Sequence, residues 1–176
     1  DLSVKIAKQT AQDLGDTYVP TEGHEIVRKM VEDLGRYGRK NGKGFYDYDT
    51  KPKTLWKGLS ELAPVTINES TPELIEDQKR RLLYRQAVEV AKCWEEGVID
   101  DPREADVGAI LAWGFAPWTG GPITMIDQIG LKAFVAQADD YAARYGDRFK
   151  VPQLLRDMAA KDETFYGNFA GVKAAA

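Results

Sequence analysis

Apolar residues along this chain recur at three- and four-residue spacing almost throughout, and no segment alternates apolar and polar residues long enough to make a convincing strand. The pattern predicts an all-α protein. Residues 2–14 carry a weak apolar face that stops at Gly15. Ile26, Val27, Met30, Val31 and Leu34 mark a second helix, with Gly35 as its C-terminal stop. A short connection centred on Pro20 separates the two. From Gly35 to Asn68 the text changes to glycine, base and aromatic (RYGRKNGKGFYDYD), then to a Lys/Pro stretch holding Leu55, Trp56, Leu59 and Leu62. This reads as a loop followed by a linker able to carry one short helix.

Ser70-Thr71-Pro72-Glu73 has the composition of a capping box, with Ser70 accepting free amides, Glu73 reaching back and proline tolerated in the first turn. A long helix to Glu96 follows, and its stripe through Leu74, Ile75, Leu82, Leu83, Val88, Ala91 and Trp94 is wide enough for a central core element. Asp101-Pro102-Arg103-Glu104 opens another helix with Val107, Ile110 and Leu111. That helix runs into a rigid glycine and proline corner, Gly114 to Pro122. Pro122 starts a short helix closed by Gly130. The run Leu131, Phe134, Val135, Ala138, Tyr141, Ala142, Tyr145 makes the next, closed by Gly146, and Leu154, Leu155 and Met158 place a last one after Pro152. The tail from Thr164 reads as loose.

Composition adds limits. At 176 residues, 43% apolar and 30% charged, the chain is long enough for one good core or two small ones. Its single cysteine, Cys93, sits in an apolar run, so an intrachain disulfide or a paired-thiol metal site cannot form. No stretch approaches the roughly 20 apolar residues of a membrane span, and residues 1–12 carry no export signal. A reducing, intracellular setting fits. The net charge of −4 hides a basic segment: Arg36, Arg39, Lys40, Lys43, Lys51, Lys53 and Lys57 face only Asp47 and Asp49, a local balance of +5. Such a stretch can meet phosphates; a solvated loop is the plain alternative. The patch is too short, and the whole too acidic, for general nucleic-acid binding.

Catalytic chemistry is sparse. The sole histidine, His24, stands at the head of the second helix and reads as a helix-end polar residue rather than a general base, which needs an orienting neighbour. Cys93 reads as core, and there is no nucleophile elbow. Glu95/Glu96, Asp100/Asp101 and Asp139/Asp140 are adjacent pairs, which point apart on a helix and do not converge on a metal. Gly42-Lys43-Gly44 lacks the further glycines of either phosphate-binding fingerprint, so a glycine-rich nucleotide loop is excluded; the glycines instead permit a tight turn before Phe45 and Tyr46 pack down.

Three stretches together carry a resemblance. Arg39 to Tyr48 (RKNGKGFYDY) looks like the closing signature of the C-terminal helical domain of 3-hydroxyacyl-CoA dehydrogenases. Glu95 to Ile99 with Ala105-Asp106, and then Gly114, Phe115, Pro117, Gly120, Gly121, Pro122 and Asp127, resemble the same domain in a second copy. That order is similar to the multifunctional α-subunits of bacterial β-oxidation complexes and related peroxisomal proteins, and the likeness runs from Asp1 to about Tyr166.

The resemblance implies residues 1–48 as the end of one helical repeat, 49–69 as linker, 70–166 as a second repeat and 167–176 as tail. It implies a longer protein in which a hydratase/isomerase domain supplies 3-hydroxyacyl-CoA and a Rossmann domain of the same chain holds NAD and a His-Glu pair. Neither the pair nor the glycine fingerprint lies in these residues, so this chain alone is expected to bind no cofactor and catalyse nothing. Its implied role is to close the substrate cleft and make domain or subunit contacts. The implied partners are acyl-CoA, a thiolase subunit or a second copy, in the cytoplasm of a bacterium or the peroxisome of a eukaryote. Leu111 stands where the family places an aromatic residue beside substrate. Trp113, Phe115 and Trp118 are candidates for an apolar acyl wall, with core as the simpler reading. Arg39, Lys40 and Lys43 are candidates for coenzyme A phosphates.

Overall fold

Helix stop signals fall where the chain turns. In the computed structural model, which describes residues 1–67 and 69–168, the chain divides into two compact units, Asp1–Glu69 and Ser70–Ala176. The first unit begins with α1 (Leu2–Leu14) and α2 (Glu22–Glu32), packed on each other. Thr21 caps α2 by accepting the His24 amide at 3.3 Å. Chain reversal after α2 leads to a 3₁₀ turn at Arg39–Asn41 and a small antiparallel pair, β1 (Tyr46–Asp47) and β2 (Thr54–Leu55), before α3 (Leu59–Leu62). The pair is too short to leave an alternating pattern in the sequence. Among the described residues of this unit only Val4 and Met30 are buried apolar side chains.

The second unit is built on α4 (Pro72–Glu95), α5 (Pro102–Trp113), α6 (Pro122–Ile129), α7 (Leu131–Tyr145), α8 (Gln153–Lys161) and α9 (Phe165–Asn168). Thr71, not Ser70, caps α4, its hydroxyl accepting the Leu74 amide at 3.2 Å. Pro72 occupies the first helical position, which makes the residue directly before it the cap. The Glu73 carboxyl is held below its ordinary range, first by its own backbone amide and then by the Thr71 side chain. Asp101 caps α5, accepting the Arg103 amide at 2.8 Å.

Helix α6 is almost wholly apolar on its inner side, with Ile123 and Ile126 fully buried, and packs against α4, α5 and α7. An aromatic cluster fills the space between α4 and α7: Tyr84 stacks on Phe134 at 4.4 Å and meets Tyr141 edge-on at 5.6 Å. The residues after Thr164 differ from expectation. Phe165 is buried and meets Trp94 at 5.1 Å between ring centroids, so an aromatic anchor ties the end of the described chain to α4. Residues 169–176, most of the tail expected to be loose, lie outside the described residues. Among the described residues the fold is all-α apart from one small hairpin. No helix of the described residues is long and apolar enough to cross a membrane.

Candidate functional site

The glycine and proline corner is held by a chain of local constraints. Gly114 leaves α5 in the left-handed region at φ 76°, and the Phe115 amide donates back to the Ala109 carbonyl at 3.1 Å. Pro117–Thr119 makes one 3₁₀ turn, with the Thr119 hydroxyl donating to the Ala116 carbonyl at 2.7 Å. Gly121, at φ 116°, lies so close to Asp106 that a Cβ there would come within 2.4 Å of that side chain.

Asp106 itself is buried. Its carboxylate accepts the Ile123 amide at 2.7 Å, the Thr124 amide at 3.1 Å, the Thr124 hydroxyl at 2.5 Å and the Tyr166 hydroxyl at 2.9 Å. Asp127 works similarly one helix on, accepting the Phe165 and Tyr166 amides, each at 3.0 Å. Both acidic residues of the motif therefore have structural partners: one anchors the start of α6, the other the start of α9.

This framework borders an open groove of about 1000 Å³ whose walls include Leu82 and Leu83 of α4, Phe115 to Trp118 of the corner, and Met125 and Ile129 of α6. Lys79 and Arg80 stand on its lining from α4. Of the four residues singled out from sequence, Phe115 and Trp118 line the groove, but from opposite situations. Phe115 is 1% exposed and is a core side chain that forms part of the wall, whereas Trp118 is 83% exposed. Trp113 does not line it, yet its indole N–H donates at 3.2 Å to Gln86, which does. Leu111 is exposed on the last turn of α5, outside the lining. Leu82, half of whose neighbours in sequence are charged, is exposed on the same groove and was missed as a surface residue because its helical spacing matches the core stripe.

In the first unit the basic segment folds around Arg36. This guanidinium is buried, donating to the Gly44 carbonyl at 2.9 Å and to Asp47 at 2.6 Å, and lies 4.2 Å over the Trp56 ring. It is a structural cation, not a free one. Lys40 pairs with Asp1 at 3.2 Å. Arg39 lies over the Tyr48 ring at 5.7 Å, and Lys43 is exposed. Gly44 has no room for a Cβ, which would meet the Gly38 Cα at 2.9 Å. Phe45 and Tyr46 do not pack down after this turn but stay substantially exposed, because Arg36 and Trp56 take the interior position.

His24 meets one side-chain partner among the described residues, the Tyr18 hydroxyl at 3.4 Å from Nδ1, and no carboxylate orients it. Both line a small cavity of about 260 Å³ between α1 and α2. Cys93 is half-buried. No group of three or more His, Cys, Asp or Glu among the described residues converges to hold a metal ion. Among the described residues the sheet is a two-residue antiparallel pair, and no strand leads through a glycine-rich turn into a helix.

No protein-family model matches the chain. Curated relatives do. Over 166 residues, 94% of the chain, it is 34% identical to the fatty acid oxidation complex subunit alpha of Vibrio parahaemolyticus. Over 172 residues, again 94%, it is 37% identical to the protein of the same name from Shewanella amazonensis. The chain is a homologue of one segment of the fatty acid oxidation complex subunit alpha. The Vibrio vulnificus subunit alpha matches 96% of the chain at 34% identity. In each case the matched segment is 23% of the relative, so the chain spans about a quarter of these subunits. The resemblance read from the motifs and the comparison with whole sequences thus agree on the family.

Proposed function

We propose that the chain is the C-terminal helical region of an NAD-dependent 3-hydroxyacyl-CoA dehydrogenase of fatty-acid β-oxidation, in a protein that also carries enoyl-CoA hydratase activity. Residues 1–48 close one helical repeat and residues 70–166 form a second. Its task is to close the substrate cleft and to make domain or subunit contacts, while hydride transfer belongs to a Rossmann domain of the same protein. One observation carries this reading: identity of 34–37% over 94% of the chain to fatty acid oxidation complex alpha subunits. The groove beside Trp118 supports an acyl-facing role, since Leu82, Leu83, Phe115, Met125 and Ile129 give it an open apolar wall beside the charged Lys79 and Arg80. The bacterial relatives favour the cytoplasm.

The test is NADH formation from 3-hydroxyacyl-CoA. The 176-residue chain alone is expected to give background rates, and the longer protein containing it to turn over. Turnover by the chain alone would overthrow the assignment of catalysis to residues outside it.

A second reading rests on Leu82 and Trp118, both strongly exposed apolar side chains on one groove. On that reading the region docks a thiolase subunit or a second copy without touching substrate. Sedimentation and thiolase pull-down separate the two; a monomer that captures no thiolase counts against docking.

A further inference from the structure

The hairpin of the first unit arranges aromatic and basic side chains in a row that the dehydrogenase reading does not use. Pairing sets Tyr46 opposite Leu55 and Asp47 opposite Thr54. Tyr48 and Lys53, just outside the paired residues, lie beside Tyr46, while Asp47 turns to the other side, where Arg36 holds it. The contacts follow that geometry. The Lys53 ammonium lies 4.6 Å from the Tyr46 ring centroid, the Tyr46 and Tyr48 rings are 6.3 Å apart, and the Arg39 guanidinium is 5.7 Å from Tyr48. The result is a row of cation, ring, ring, cation.

Charge bookkeeping makes the row unusual for a solvated loop. Among the described residues Arg39, Lys43 and Lys53 form no ion pair, although carboxylates outnumber bases in the chain. Arg36 and Lys40, by contrast, are engaged with Asp47 and Asp1. Lys43 sits across a backbone bridge from Asp47 and shares that face of the hairpin, so it takes no part in the row. The exposed Tyr46 ring offers a flat face to a base, with the half-buried Tyr48 ring tilted 58° beside it, and the flanking cations offer donors to phosphates, Arg39 as a planar fork and Lys53 as a point charge.

We propose that this face of the hairpin binds a phosphorylated nucleotide, its base on Tyr46 and its phosphates on Arg39 and Lys53. The choice of coenzyme A as that nucleotide rests on the acyl-CoA reading above. No glycine-rich cradle is involved, so binding is a surface event, weakened by salt.

Isothermal titration of the whole 176-residue chain with coenzyme A, adenosine 3′,5′-bisphosphate, adenosine and pyrophosphate tests it. The two phosphorylated nucleotides are expected to bind more tightly than adenosine or pyrophosphate and to weaken between about 20 and 150 mM salt. Tyr46→Leu and Arg39→Gln should each weaken them about tenfold, as loss of one stack or one charged contact does, with Tyr46→Phe retaining affinity. These positions are exposed, and unchanged circular dichroism confirms folding. Absence of nucleotide binding overturns the proposal, as does binding indifferent to Tyr46→Leu and Arg39→Gln. Capture by phosphatidylglycerol vesicles without nucleotide binding also overturns it, in favour of an anionic lipid surface. Bisphosphate bound equally with coenzyme A upholds the site. The NADH assay on the longer protein judges the acyl-CoA reading separately.

Discussion

Replacing Asp106 removes a carboxylate that joins three separate segments of the second unit. In Asp106→Ala the Ile123 and Thr124 amides lose their acceptor at the start of α6, which costs about 1–2 kcal/mol as the loss of a helix cap. The Thr124 and Tyr166 hydroxyls lose theirs as well. Each buried donor left unpaired costs about 1–3 kcal/mol, and because both hydroxyls are only part-buried the lower figure applies to them. The sum is about 3–4 kcal/mol, a large share of the 5–15 kcal/mol by which a domain is ordinarily stable.

Asp106→Asn keeps one acceptor oxygen and directs an amide at donors, of which the two hydroxyls can turn round and the Thr124 amide cannot. It should cost about 2 kcal/mol. Urea unfolding followed by tryptophan fluorescence is the assay, since Trp94 packs on Phe165 next to the Tyr166 contact. The expected order of stability is wild type, Asn, Ala, with the slope of the transition preserved. An Asp106→Ala protein within about 1 kcal/mol of wild type would show that this carboxylate does not hold the unit together and that its burial has another cause.

Phe115→Ala should destabilise by about 3–5 kcal/mol as a buried aromatic deletion, whereas Trp118→Ala, on an exposed ring, should fall within about 0.5 kcal/mol of wild type. In the longer protein Trp118→Ala should lower kcat/KM for long acyl chains, and unchanged kcat/KM would remove Trp118 from the acyl wall. Burial first, and then the Asp77 carboxylate, push the Tyr141 phenol up to about 12. Its folded value thus lies above the unfolded one near 10, so its contribution is complete below pH 10 and is lost as pH rises from 10 to 12. Tyr141→Phe should flatten that alkaline decline; an identical decline in both proteins contradicts the reasoning. Because the first unit buries so little apolar surface, heating should give two transitions, with proteolysis entering residues 1–69 first. A single transition with residues 1–69 protected would refute this.

Helices and their ends were largely legible because their signals are local. Apolar residues three and four apart, proline at the first position of α4, α5 and α6, and left-handed glycines at 97, 114 and 130 act within one or two turns. The cap of α4 was misplaced by one residue between two hydroxyl side chains, a choice that the position of Pro72 decides. The corner was legible as rigid, but not which of its aromatics face water: Phe115 and Trp118 share composition and neighbourhood, and only the path of the turn separates them.

What the sequence alone determined is the helical class, the order of the elements, the absence of a dinucleotide fingerprint and the family resemblance carried by the glycine and aromatic motifs. Tertiary structure decided which charged residues are spent internally. Arg36, read as one base among seven, is the centre of a folded loop. Asp106 and Asp127, read as motif acids, meet amides 17 to 39 residues further along the chain. Such pairings depend on how helices pack, and packing is set by surfaces distant in sequence, which no local periodicity encodes. The same holds for the hairpin: a register of two residue pairs leaves almost no trace in the sequence, yet it gathers Arg39, Tyr46, Tyr48 and Lys53 on one face.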